Sequence, residues 1–302
     1  MTGTETGTGT GSGTGAGPGG TGTALVLGGG GLTGVGWECG MLHGLAEAGL
    51  DLFGADRVDL VVGTSAGSLV GAQVVSGLVG PRELYERQLG DPSGEPVARL
   101  GGSVFAQFAL AMLRSRTPQA YRQRVGTLAL GAETEPEESR RAVLAERLLT
   151  HEWPDRRLLV SAVDALTGEL RAFDRDSGAG LVDAVSASCA VPLVWPPVTI
   201  GGRRYIDGGI RSSANADLAA GYRRVIVIAP VALGSHLVPS PRTQAAALRE
   251  AGAEVVVIHP SREARRAFGR NVLDPARRAP AALAGREQAA AHAADVERVL
   301  AA

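Results

Sequence analysis

Val58-Asp59-Leu60-Val61-Val62-Gly63-Thr64-Ser65-Ala66-Gly67 reads as a strand, a sharp turn and the opening of a helix. The first five residues carry the aliphatic run of a strand. Residues 66–79 continue without a charge, the composition of a buried helix. Between them stands G-x-S-x-G, in which Gly63 and Gly67 flank Ser65 because a Cβ at either place would meet neighbouring backbone. Such a turn lifts the serine hydroxyl out of the end of a sheet. It also puts a helix N-terminus, with free N–H groups and partial positive charge, behind that hydroxyl. This is the local architecture of a serine nucleophile, which needs a base and an oxyanion site from the rest of the chain.

Strand and helix patterns alternate on either side. Strands are expected at 24–27, 58–62, 158–162, 170–173, 203–206, 225–229 and 255–259. Helices are expected at 32–48, 66–79, 181–188, 214–221, 243–251 and 281–300. The continuous aliphatic cores at 225–229 and 255–258 belong to strands covered on both faces. The fold class is therefore α/β, a three-layer α/β/α sandwich with a mainly parallel central sheet. Residues 81–156 are mostly helical and more charged, a cap or insertion. Within them 105–113 is an apolar run ending at Arg114 and Arg116, too short to span a bilayer. It reads as a core helix, with a lid or an interfacial helix as the alternative. Residues 1–23 are glycine and threonine with almost nothing apolar, and are expected to be a disordered tail. They lack the cationic and apolar regions of a signal peptide, and no segment reads as a transmembrane helix, so a cytoplasmic protein is expected, at most peripheral at a membrane.

Two further motifs can answer the serine. Gly28-Gly29-Gly30-Gly31 follows the first strand and opens a helix, so its bare backbone can aim N–H groups at developing negative charge. One reading of the tetrad is an oxyanion hole for acyl transfer at Ser65. The same stretch through Gly34 also fits the G-x-G-x-x-G dinucleotide pattern, with Asp51, Asp56 or Asp59 as its downstream acid. That second reading leaves Ser65 without a role. Asp207-Gly208-Gly209 follows a short strand and offers a carboxylate base at a strand end. Of the five histidines, His259, ending a strand, is the one that could complete a Ser-Asp-His triad.

These three stretches, in this order over residues 24–220, resemble the signatures of the bacterial patatin-like phospholipases. Ser186-Ala187-Ser188-Cys189-Ala190-Val191-Pro192, leading into Trp195-Pro196-Pro197, is similar to a pocket-lining stretch of that family. The resemblance implies a patatin-like acyl hydrolase domain over 24–302 and a Ser65–Asp207 dyad without histidine. It implies an oxyanion held by the N–H groups of Gly29, Gly30 and Gly31, and activity on acyl esters of lipids. A non-catalytic lipid- or partner-binding member of the same fold is the alternative. The family carries Lys or Arg just before the last glycine of its first motif, where this chain has Thr33. No head-group cation comes from that position, so neutral-headed lipids and simple esters come into range.

Composition excludes other chemistries. The 302 residues carry a net charge of −1, and no basic stripe is interleaved with aromatics, so no nucleic acid is expected as a partner. All 30 basic residues are arginine. Without lysine there is no Schiff base, no Ser–Lys dyad and no Walker A lysine. Cys39 and Cys189 are too few for a disulfide framework. No His/Cys/Asp cluster has metal-ligand spacing, so neither metal nor cofactor is expected. The partner is the substrate, a lipid or other acyl ester, with peripheral membrane contact.

Overall fold

Alternate residues of the central strands face two different cores. Leu25, Leu27 and Val61 enter one, and Ala24, Val26, Leu60 and Val62 the other. That period of two with both faces apolar requires cover on both sides of a sheet. The computed structural model, which describes residues 20–54, 57–91, 98 and 100–302, has this arrangement. Eight strands form one sheet: β1 (Gly20–Leu27), β2 (Leu60–Thr64), β3 (Arg157–Asp164), β4 (Leu170–Phe173), β5 (Val198–Ile200), β6 (Arg203–Asp207), β7 (Tyr222–Ile228) and β8 (Glu254–Ile258). Their order is β5-β6-β3-β2-β1-β7-β8, with β4 also paired to β3. β3, β2, β1, β7 and β8 run parallel, whereas β4 and β6 pair antiparallel with β3, and β5 antiparallel with β6.

The helices are α1 (Gly31–Glu47), α2 (Ala66–Val75), α3 (Pro81–Gln88), α4 (Gly102–Leu113), α5 (Pro118–Leu130), α6 (Glu137–Arg147), α7 (Leu181–Ser188), α8 (Pro241–Glu250), α9 (Arg262–Phe268), α10 (Arg278–Ala289) and α11 (Ala293–Ala301). All ten residues of α2 are buried, as its uncharged sequence requires. α1, α2 and α7 share one core with the odd-numbered face of β1, and α8 closes the other.

Several sequence expectations shift. The expected tail lies at 1–19 outside the described residues, as does Asp56, but 20–23 already belong to β1. Residues 214–221 hold only a short 3-10 turn, Ala216–Ala219, because Asn215 takes left-handed backbone (φ 50°). The expected helix over 281–300 is two, divided by a 3-10 turn at Ala290–His292. α4 is not a core helix. Only Val104 and Ala111 are buried, while Phe105, Leu110 and Leu113 face solvent.

α1 carries Gly36, Gly40 and Gly44 at four-residue spacing, and this stripe seats α10. A Cβ on Gly36 would meet the Arg278 carbonyl oxygen, one on Gly40 the Ala282 carbonyl oxygen, and one on Gly44 the Arg286 carbonyl oxygen at 2.6 Å. The two helices therefore pack backbone to backbone. Gly40→Ala should drive them apart and cost about 2 kcal/mol or more. Urea unfolding with an unchanged midpoint would contradict that packing.

Candidate active site

Strand registers bring the sequence motifs together. β2 runs along β3 and ends with Thr64 opposite Ser161. β6 approaches along the same strand from the other direction and ends with Asp207 opposite Ala162, the next residue. The two strands thus end one residue apart on opposite flanks of β3, and the Ser65 side chain turns toward the Asp207 carboxyl. Ser65 has φ 52° and ψ −115°, a left-handed conformation unusual for a residue with a side chain. Its flanking glycines are obligatory. A Cβ on Gly63 would come within 2.5 Å of the Ser68 Cα, and one on Gly67 would run into the Leu27 carbonyl.

The Ser65 backbone is held from three sides. Its N–H donates to the Ser188 hydroxyl at 2.8 Å, and its carbonyl accepts the Ser68 hydroxyl at 2.7 Å and the Cys189 thiol at 3.3 Å. Asp207 is fixed by its own N–H, which donates to the Ala190 carbonyl at 3.0 Å, and by the Gly209 N–H, which donates to its carboxylate at 2.7 Å. Gly208 leaves room for Ser161, whose hydroxyl a Cβ there would strike. Beneath both catalytic candidates lies a buried polar group that the sequence did not reveal. The Asn215 amide reaches the Thr64 hydroxyl (3.1 Å), the Ser161 hydroxyl (3.2 Å) and the Gly208 and Ser212 carbonyls (3.1 and 2.9 Å).

The glycine loop passes beside the nucleophile: a Cβ on Gly29 would lie 3.3 Å from that of Ser65. Gly67 N–H donates to the Gly28 carbonyl at 3.0 Å and ties the two motifs together. One expected donor is lost. The Gly29 N–H is taken by the Ser213 carbonyl at 2.7 Å, so it is not free for an oxyanion. The Gly30, Gly31 and Ala66 N–H groups have no acceptor among the described residues. They open α1 and α2, whose N-termini therefore converge on the serine. Gly34 packs against Ala66 and Pro230, where a Cβ would be 3.3 Å from either.

A cavity of about 50 Å³ adjoins Ser65, lined also by Gly31, Leu69, Arg140, Cys189 and Trp195. Of the stretch 186–197, to which the family resemblance gives a pocket-lining place, Cys189, Val191 and Trp195 line this cavity. Thr33 does not line it, being fully buried with its hydroxyl on the Gly30 carbonyl at 3.3 Å. Nor does His259 reach the serine. It ends β8, three strand spacings from β2, roughly 14 Å, and its Nδ1 pairs with the Ala229 carbonyl at 3.2 Å. The dinucleotide reading loses two of its three acids, the third, Asp56, lying outside the described residues. Asp59 accepts the Thr23 N–H at 2.7 Å at the start of β2, the opposite end of the sheet from the glycine loop, and Asp51 accepts the Phe53 N–H at 3.0 Å.

Residues 25–220 match the sequence profile of the patatin-like phospholipases, and the chain belongs to that family. Family membership supports a lipid acyl hydrolase activity. No curated protein matches the chain in sequence. Among solved structures it is similar to VipD from Legionella pneumophila, at 14% identity over 92% of this chain and 67% of that one, TM-score 0.46. It is also similar to ExoU of the ExoU–SpcU complex of the Pseudomonas aeruginosa type III secretion system, at 16% identity over 94% of this chain and 53% of that one, TM-score 0.39. The chain spans about two thirds of the first and half of the second.

Burial raises the Asp207 carboxyl from 3.8 to about 6, against the lowering pull of the Ser65 and Gly209 hydrogen bonds. A base must be ionised, so hydrolysis should rise as pH climbs through about 6 and level off above it. The folded value exceeds the unfolded one. The native state therefore holds the extra proton between about pH 4 and 6, loses stability across that window, and is level beyond it. Asp207→Asn removes this cost. It should abolish hydrolysis and melt higher than the wild type at pH 8, by on the order of 3 kcal/mol, with the gain vanishing near pH 4. A variant less stable than the wild type at pH 8 would contradict the buried, raised carboxyl.

Proposed function

We propose that the protein is a serine lipid acyl hydrolase that cleaves carboxylic esters through an acyl-enzyme, with Ser65 as nucleophile and Asp207 as its base. The observation that carries this reading is the register that ends β2 and β6 one residue apart on either side of β3, bringing the turn at Ser65 beside the buried Asp207. Ser65 Oγ attacks the ester carbonyl carbon and passes its proton to Asp207. The tetrahedral oxyanion lies against the free N–H groups of Gly30, Gly31 and Ala66, each such donor being worth roughly 3 kcal/mol. Collapse expels the alcohol, which takes the proton from Asp207. Water then attacks the acyl-serine, gives its proton to Asp207, and Ser65 recovers it as the carboxylic acid departs. A fluorophosphonate probe should label the wild type and not Ser65→Ala. Asp207→Asn should slow labelling by about a hundredfold or more. A folded wild type that resists the probe would leave only the binding-module reading.

The same reading puts the protein at a lipid surface. No helix among the described residues is long and apolar enough to cross a membrane. α4, which starts four residues after the cavity-lining Ala98, instead exposes Phe105, Ala106, Ala109, Leu110 and Leu113 as one stripe. Leu233, 82% exposed, stands in a loop whose Leu237 shares a core with Ala111 of α4. Residues 100–132 contain Arg114, Arg116, Arg122 and Arg124 and no acid. An apolar stripe flanked by cations fits an anionic bilayer. The protein should sediment with phosphatidylcholine vesicles that contain phosphatidylglycerol, and Phe105→Ser with Leu113→Glu should release it. Equal sedimentation of both proteins would remove α4 from the contact.

A further inference from the structure

α6 is fastened on its outer sides. Glu137 accepts the Thr199 N–H at 2.6 Å and the Thr199 hydroxyl at 3.0 Å, and Arg141 pairs with Asp183 at 2.5 Å. These anchors decide which residues turn inward. Arg140, Leu144 and Arg147, at i, i+4 and i+7, line the Ser65 cavity.

Arg140 is the unusual member. It is only 9% exposed, yet none of the ion pairs among the described residues includes it. Its Nε is buried without an acceptor. A guanidinium brings five N–H donors, and taking that cation out of water without a counter-charge is costly. Trp195 answers part of the need: the guanidinium carbon sits 3.8 Å from its ring centroid. A ring face offers no lone pair to an N–H in the guanidinium plane. Burial draws Arg140 down to about 10, which still leaves it charged at neutral pH. Arg286, Arg211 and Arg203 pair with Glu47, Asp217 and Asp164, and Arg204 and Arg224, whose Nε also lacks an acceptor, donate through their other nitrogens to backbone carbonyls. Arg140 instead opens onto the cavity that holds the nucleophile.

We propose that Arg140 is the anion-recognising residue of this cavity, so that the ester cleaved at Ser65 carries a phosphate or carboxylate that pairs with its guanidinium. The inference rests on the Ser65 reading for the reaction and on the unpartnered arginine for recognition. It corrects the expectation drawn from Thr33. The cation absent from the glycine motif comes from the cap helix, and neutral esters are the poorer substrates. An arginine fork suits phosphate and carboxylate alike, because both present two oxygens to parallel N–H groups.

The test compares matched ester pairs: dibutyrylphosphatidylglycerol against tributyrin, and the mono-4-nitrophenyl ester of glutaric acid against 4-nitrophenyl valerate. The wild type should prefer the anionic member in at least one pair, which names the oxyanion. Arg140→Gln should shrink that kcat/KM ratio about tenfold or more, and Arg140→Lys, which keeps charge but not the fork, by less. A ratio unchanged in folded Arg140→Gln overturns the proposal. Binding is read separately in Ser65→Ala protein from tryptophan fluorescence, with inorganic phosphate as competitor. Anionic ester bound by this protein, displaced by phosphate and lost with Arg140→Gln supports recognition even if no ester turns over, in which case the hydrolase reading alone fails. Equal binding of the neutral and anionic esters overturns it.

Discussion

Two chain ends have to stop one residue apart on opposite approaches to β3, and every feature of the site follows from that constraint. Thr64 sits opposite Ser161 and Asp207 opposite Ala162, so a slip of one residue in either register would send a reactive group to the wrong side of the sheet. Hydrophobic packing alone does not set such a stop. The Asn215 amide does, since it hydrogen-bonds simultaneously to residues of β2, β3 and the turn after β6. It is wholly buried, and its left-handed backbone aims the amide inward. A buried amide is costly unless all its bonds are made, and here the bonds form only when the three segments are in register. The network therefore acts as a positional lock as well as a contributor to stability.

Energy is withheld at the same place. A left-handed Ser65 costs on the order of 1–3 kcal/mol, and a desolvated Asp207 adds to that. Both survive because their surroundings over-determine them. The bond to Ser188 and those from Ser68 and Cys189 pin the Ser65 backbone, and those to Ala190 and from Gly209 pin Asp207. Cys189 shares this space without competing for the chemistry, because burial pushes its thiol up to about 11. A hydroxyl on strained backbone stands beside a carboxyl whose burial strengthens its hold on a proton until it titrates near neutrality.

Local chemistry was legible in the sequence; partnership was not. The G-x-S-x-G turn, the glycine tetrad and Asp207-Gly208-Gly209 announce themselves because each glycine answers a steric demand within a few residues. The double-faced sheet was readable from aliphatic runs. Asn215 was hidden, as its role depends on Thr64 and Ser161, distant in sequence, and its backbone turned an expected helix into a 3-10 turn. β5 escaped notice because three residues carry no periodic signal. α4 was misjudged for a related reason. Apolarity can be read from sequence, but whether a neighbour covers a given face cannot, and only Val104 and Ala111 found one. The Gly29 N–H looked as available as its neighbours until the Ser213 carbonyl claimed it.

The cap completes what the sheet cannot. In the reaction we propose, the α/β layers provide an alcohol, an acid and amide donors, which act on an ester carbonyl regardless of what the rest of the substrate is. Selectivity must come from groups that touch the remainder, and α6 is the element placed to do so. Its outward residues are spent on Thr199 and Asp183, which hold the helix against β5 and α7. These elements flank the pocket-lining stretch that carries Trp195. The helix that bears Arg140 and the strip that bears Trp195 are thus held together through the elements on either side of the strip, and the guanidinium is stacked before any ligand arrives. A preorganised cation loses little side-chain freedom on binding. On that proposal, the groups that act on the carbonyl sit at the strand ends, while discrimination falls to a helix that can change without disturbing them.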